Sequence, residues 1–153
     1  MKSMNLKIRK MRENDLEPLY KLLSDSNVRR FLEKPFSKNQ TLKFLKEAGM
    51  REPPLIYAVE KDGCFIGYVI FHDYDNLSYE IGWALYQNYW GKGYASYLTK
   101  LLIEKAFKMN KQVVIECDSN QEVTKHIAAK FGLEYSGIKD GLEIYRSKLF
   151  DSN

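Results

Sequence analysis

No stretch of this chain approaches the roughly 20 consecutive apolar residues that a helix needs to cross a bilayer. Its opening, MKSMNLKIRKM, has no apolar core of the sort that directs secretion. A cytoplasmic protein with no membrane partner is therefore expected. Cysteine is scarce. Cys64 and Cys117 stand in apolar, strand-like stretches, in no CxxC or metal-ligand spacing, and both read as buried, reduced thiols. The two histidines, His72 and His126, have no metal-like partner, so no metal is expected. Repeats, low-complexity tracts and Pro/Gly/Ser-rich linkers are missing. The 24 lysines and arginines exceed the 20 acids, for a net charge of +4. They are scattered among the acids, which argues against nucleic acid as a partner and leaves a mild preference for anionic ligands.

What remains is an ordinary globular composition. Of 153 residues, 44% are apolar and 29% charged, enough to bury a core and too apolar for wholesale disorder. We expect one domain over residues 1–153. A strand and two helices occupy 1–54, central strands and a loop-helix unit 55–110, and a second half with a C-terminal hairpin 111–150.

Periodicity sets the elements. LKIRKM alternates as a strand. In ENDLEPLYKLLSD the residues Leu16, Leu19, Tyr20 and Leu23 fall at helical spacing, with Asn14 or Asp15 as N-cap. SKNQTLKFLKEAGM reads as a second helix with Ser37 and Gln40 in a capping box. LIYAVE and CFIGYVIFH form a hairpin across KDG. In LSYEIGWAL, Tyr79, Ile81, Trp83 and Leu85 face one way and Glu80, Gly82 and Ala84 the other. A long helix then carries Ala95, Leu98, Leu102, Ala106 and Met109 on one side. QVVIEC is a buried strand. NQEVTKHIAAKFG is a helix with Val123, Ile127 and Phe131 in register and His126 on an exposed face. LEYSGI and LEIYRSKL close the chain as a hairpin. This order predicts an α/β fold, a mixed sheet covered by helices.

The stretch YWGKGYASYLTKLLIEKAF places two glycines around a lysine at the mouth of the long helix. The first N–H groups of a helix lack internal partners and carry partial positive charge. Glycines let such a turn approach a large anion, and Lys92 adds a full charge, so the segment reads as a phosphate cradle. It is neither GxxxxGK[ST] nor GxGxxG, because Ser96 stands where the third glycine would be.

The window Trp90-Gly91-Lys92-Gly93-Tyr94-Ala95 resembles the pyrophosphate loop of the GNAT superfamily of N-acetyltransferases, [QR]-x-x-G-x-[GA], with Trp90 departing at the first position. YWGKGYA and the preceding EIGW resemble the branch of ribosomal-protein N-terminal acetyltransferases, and HIAAKFGLEYSG resembles the family's closing motif. The likeness spans about residues 55–148. It implies a GNAT-like, mostly antiparallel seven-stranded sheet with about four flanking helices and splayed central strands, and acetyl-CoA as cosubstrate. The pantetheine would pair with backbone at Ala84, Leu85 and Tyr86. The pyrophosphate would rest on the segment from Trp90 and Gly91 through Lys92, Gly93, Tyr94, Ala95 and Ser96 to Tyr97. A polar contact after the fifth strand falls on Asn120 or Gln121, and the family's Ser on Thr124.

Acetyl transfer to an amine requires removal of the ammonium proton, stabilisation of the carbonyl oxygen, and a proton for the departing thiolate. Glu80 is the first candidate base, because Gly82 and Ala84 on its face leave room for a substrate. Glu116 is the second. A backbone N–H near Leu85 can serve the oxygen. For the acid the family's tyrosine is replaced by Ala128, which leaves Thr124, water or, remotely, Tyr145; His72 stands at a strand end within possible reach of substrate. The expected acceptor is a primary amine, on a protein N-terminus or a small molecule, with residues 27–35 lining its groove. The enzyme would act as a monomer or homodimer. The alternative is a catalytically silent acyl-CoA-binding module.

Overall fold

The computed structural model describes residues 5–30 and 34–148. Seven strands form one sheet: β1 (Leu6–Arg9), β2 (Ile56–Lys61), β3 (Cys64–Asp73), β4 (Ser78–Leu85), β5 (Gln112–Cys117), β6 (Glu134–Lys139) and β7 (Leu142–Arg146). Their spatial order is β1-β2-β3-β4-β5-β7-β6. Every neighbouring pair is antiparallel except β4 and β5. Four α-helices flank it: α1 (Leu16–Leu23), α2 (Lys38–Phe44), α3 (Tyr94–Lys108) and α4 (Glu122–Lys130). This is the mixed, mostly antiparallel seven-stranded architecture expected.

Both KDG hairpins form with successive left-handed residues, Asp62 and Gly63 in one and Asp140 and Gly141 in the other. That geometry matches the twist of the strands it joins. The alternation in β4 separates two cores. Ile81 and Leu85, with Tyr79 and Trp83, pack with Leu98, Leu102 and Ala106 of α3 and Ala128 of α4. On the opposite face Ala84 joins Tyr68 and Ile70 against Leu19, Leu22 and Leu23 of α1 and Leu45.

The second helix starts as its sequence dictates. Ser37 Oγ accepts from the Gln40 amide at 3.1 Å and Gln40 Oε1 from the Ser37 amide at 2.8 Å. A π-helical turn, Leu45–Gly49, continues it. Asp15 stands at the N-cap of the first helix, one of the two residues expected there, but its side chain makes no cap hydrogen bond; a 3-10 turn, Glu13–Asp15, precedes α1. The Asp15 carboxylate instead accepts from the Arg12 amide at 2.9 Å and from both terminal nitrogens of Arg9 at 2.8 Å. Burying a carboxylate demands a cation, and β1 delivers one.

Three apolar assignments also shift. Cys64 is exposed because it opens β3 directly after the hairpin turn, whereas Cys117 is buried. Met109 lies beyond the last turn of α3 and is exposed. Val123 is exposed too, since the sheet-facing side of α4 is set by Ile127 and Ala128, one residue out of the predicted phase. His126 is exposed, as expected.

Candidate active site

The parallel ladder between β4 and β5 stops after three register pairs, Ser78↔Gln112, Tyr79↔Val113 and Glu80↔Val114. Beyond it β4 stays with β3 as far as Gly67↔Leu85, and β5 stays with β7 as far as Cys117↔Glu143. The sheet therefore forks in its middle, with Glu80 at the apex. On β4 the Tyr86 amide donates to Ile66 at 2.9 Å. A Cβ on Gly67 would come within 2.1 Å of the Ala84 carbonyl oxygen, so that group also points at β3. Because backbone groups alternate along a strand, Trp83 and Leu85 turn theirs to the fork. This corrects the expected pantetheine contacts at the backbone of Ala84 and Tyr86: of the three residues named, Leu85 alone faces the gap.

The fork opens onto the GKG loop. After a 3-10 turn, Gln87–Tyr89, the chain passes through Gly91 at φ 72° and Gly93 at φ 84°, then enters α3. Both angles are costly for any residue with a Cβ. The first bond of α3 runs from the Tyr97 amide to Gly93 at 3.0 Å, and the Trp90 amide donates to Gln87 at 3.0 Å. Those two amides are thus committed, which narrows the expected donors to Gly91, Lys92, Gly93, Tyr94, Ala95 and Ser96. The Trp90 side chain acts differently from the Gln or Arg it replaces. Its indole N–H donates to the Leu85 carbonyl at 2.9 Å, tying the loop to the end of β4.

Two carboxylates lie on the face carrying α1 and α2. Glu80 Oε1 lies 3.2 Å from Nε2 of His72, its cross-strand partner. The Glu80 hydrogen bond is the main cause that raises the His72 pKa above its ordinary value. Glu116 Oε2 accepts from the Tyr74 hydroxyl at 2.7 Å. Burial and then Glu116 push the Tyr74 pKa up to about 12, so the hydroxyl keeps its proton. Lys139 and Arg146 lie over the Tyr74 ring, 4.9 and 5.3 Å from its centre. Tyr74 was not anticipated. It lies just past β3, where no alternation marks it, whereas the position of His72 opposite Glu80 follows from the β3–β4 register.

Residues around the β5–α4 turn divide. Gln121 Oε1 accepts from the Asp118 amide at 2.7 Å and so closes the turn, while Asn120 is exposed. Thr124 is half-buried on the sheet side of α4, three and four residues before Ile127 and Ala128. Tyr145 donates to Glu143 on the α3/α4 face, away from Glu80, which removes it as the remote acid. Cys117 shares that face, and burial pushes its thiol up to about 11. Among the described residues no cluster of three or more His, Cys, Asp or Glu could hold a metal ion. No helix among them is long and apolar enough to cross a membrane. Of the expected acceptor groove at 27–35, residues 31–33 lie outside the described residues.

A parallel pair that parts over an unpaired strand edge, feeding an amide cradle with two left-handed glycines, suits an extended chain ending in a diphosphate. Comparison with known proteins identifies the family. The chain is 30% identical over 138 residues to the uncharacterized N-acetyltransferase YnaD of Bacillus subtilis (strain 168), covering 87% of this chain and 81% of that protein. Its fold matches the GNAT-family acetyltransferase from Bacillus anthracis with a TM-score of 0.81, at 24% identity over 95% of each chain. It also matches spermidine N-acetyltransferase from Vibrio cholerae, solved with CoA and spermine, with a TM-score of 0.76 at 17% identity over 94% of each. The family described as Acetyltransferase (GNAT) domain matches residues 5–134, and the chain belongs to that family.

Proposed function

We propose that this acetyl-CoA-dependent N-acetyltransferase moves the acetyl group to a primary amine by direct attack while both substrates are bound. One observation carries the reading: the free edge of β4 runs from Glu80, at the apex of the fork, to the six uncommitted amides around Gly93. The length of that edge matches an extended pantetheine arm, and the cradle at its end matches the diphosphate.

The residues then divide the work. Amides from Gly91 to Ser96, with Lys92 beside them, hold the diphosphate, and Asn120 and Gln121 border the arm. Backbone N–H groups of Trp83 and Leu85 orient it and face the carbonyl oxygen where charge develops. Glu80 takes the ammonium proton, directly or through water. Glu116, held by Tyr74, helps to fix the amine and is the second candidate base. Thr124 stands on α4 as a donor to the leaving thiolate, with water as the other source. Direct attack is favoured over an acyl-cysteine because the Cys117 thiol is buried on the face away from Glu80, and Cys64 lies at a hairpin turn. The likeness of YWGKGYA to the ribosomal-protein branch supports a protein N-terminus as acceptor, with a small amine as the other class.

Calorimetry with acetyl-CoA and CoA, followed by thiol release over a panel of amines, tests this directly. Glu80→Gln should lower turnover at least about tenfold with cofactor affinity nearly unchanged, since general-base help is typically worth 10²–10⁴. An unchanged rate at saturating amine passes the role to Glu116. Cofactor binding without turnover on any amine indicates a silent acyl-CoA-binding module, and no binding overturns both.

A further inference from the structure

The loop that follows α1 carries an arginine, Arg29, that has no acidic partner among the described residues. Asn27 Nδ2 donates to Gln87 Oε1 at 3.1 Å, which pins this loop to the end of β4. Two residues on, the Arg29 guanidinium lies 4.3 Å from the Phe36 ring centre. Phe36 packs on Phe44, and Phe44 on Tyr68, with ring centres 5.9 and 5.8 Å apart. Tyr68 is the cross-strand partner of Ala84, on the face that carries Glu80. Arg29 is also the charge that bears on the buried Tyr68 hydroxyl.

Arg29 Nε is buried and makes no hydrogen bond. Among the described residues no ion pair includes Arg29. A guanidinium half-withdrawn from water, stacked on a ring and left without a carboxylate, is costly unless something anionic joins it. Its planar fork fits a carboxylate or phosphoryl group. Four residues along β3, roughly 13 Å of strand, separate Tyr68 from His72, the partner of Glu80, on the same face of the sheet.

We infer that Arg29 recognises an anionic group on the acceptor, so that the amine acetylated at Glu80 belongs to a molecule carrying a carboxylate or phosphoryl group at its other end. This rests on the acetyltransferase reading above and adds a substrate class to it. An amine with no anion, such as a simple diamine, would leave Arg29 unsatisfied.

The test compares a graded series of ω-aminocarboxylates with their matched carboxamides, on wild type, Arg29→Gln and Arg29→Lys. Wild type should favour some carboxylate over its amide at least about tenfold in kcat/KM, the scale of one charge-assisted hydrogen bond. Arg29→Gln should erase that ratio, Arg29→Lys should retain part of it, and CoA affinity should stay within about twofold. A short peptide with Glu or Gln at its second position shows whether the anion can come from an acidic protein N-terminus. Calorimetry of the same ligands on the CoA complex reads selectivity without turnover. Anion-dependent binding with no acetylation would therefore sink the acetyltransferase reading and leave Arg29's role standing. A wild-type ratio near one, a ratio that survives Arg29→Gln, or a loss confined to CoA affinity overturns the inference.

Discussion

The imidazole of His72 is held between two oxygens: Nε2 lies 3.2 Å from Glu80 Oε1 and Nδ1 2.8 Å from the Asp73 carbonyl. Both nitrogens face acceptors, an arrangement that only the imidazolium satisfies in full. Glu80 is the larger cause of the raised pKa. A group whose folded pKa exceeds the unfolded value, near 6.5, stabilises the fold below that pH and loses the contribution as pH rises through the folded value. We expect the His72 ring resonances to titrate above 6.5 in wild type and at lower pH in Glu80→Gln. An identical midpoint in both proteins would break the link between these two side chains.

Both glycines of the loop hold left-handed backbone, and for Gly91 the requirement is conformational rather than steric. A Cβ on Gly91 would meet nothing within 4 Å, yet its φ is 72°, and that of Gly93 is 84°. Gly93→Ala should cost about 1–2 kcal/mol where the turn is retained. Where the turn rearranges instead, CoA affinity should fall by tenfold or more. Urea denaturation and calorimetry together read both outcomes, and a variant normal in both would refute the cradle.

Tyr74 and Glu116 join the loop after β3 to β5 across the acceptor face. A double-mutant cycle with Tyr74→Phe and Glu116→Gln should give a coupling of about 1 kcal/mol in stability. Tyr74→Phe should raise KM for the amine more than it lowers kcat, since the hydroxyl positions a carboxylate rather than moving a proton. The reverse pattern would make Tyr74 a proton carrier.

Away from the site, Arg9 is clamped by Asp15 and Glu60, all with side chains at most 14% exposed. Burial pushes Asp15 up, but Arg9 and the Arg12 amide outweigh it and hold its pKa below the ordinary value; Arg9 does the same for Glu60. With lowered folded pKa values, this cluster stabilises the fold above the unfolded values near 4 and weakens as pH falls through the folded ones. Asp15→Asn should cost about 3 kcal/mol at neutral pH, near the lower end for a broken buried pair because Glu60 remains. The deficit should shrink toward pH 2. Denaturation curves at the two pH values decide this, and a pH-independent deficit would point to packing instead.

Much of this was legible in the residues because each signal was local. KDG demanded left-handed turns, Ser37 and Gln40 a capping box, and the alternation from Tyr79 to Leu85 two faces. GKG demanded a strained entry to α3. What escaped notice was set by distance. Nothing near Asp15 announces that Arg9 will claim its carboxylate. Tyr74 has no periodic neighbour, and its partner Glu116 is 42 residues away. Which backbone groups of β4 face the fork depends on the register with β3, and only the paired structure fixes that. Val123 shows the limit of counting: helical spacing fits it as well as Thr124, and the sheet beneath α4 decides between them.

The early end of the β4–β5 ladder leaves a strand edge in the interior of the sheet, where most proteins would place another strand. On the proposed reading, an extended pantetheine lying there would complete the hydrogen-bonding row, and the cosubstrate would serve as a temporary eighth member of the architecture. Amide exchange at Ile81, Trp83 and Leu85 should then slow on loading with CoA, and the two wings of the sheet should melt together only when that place is taken.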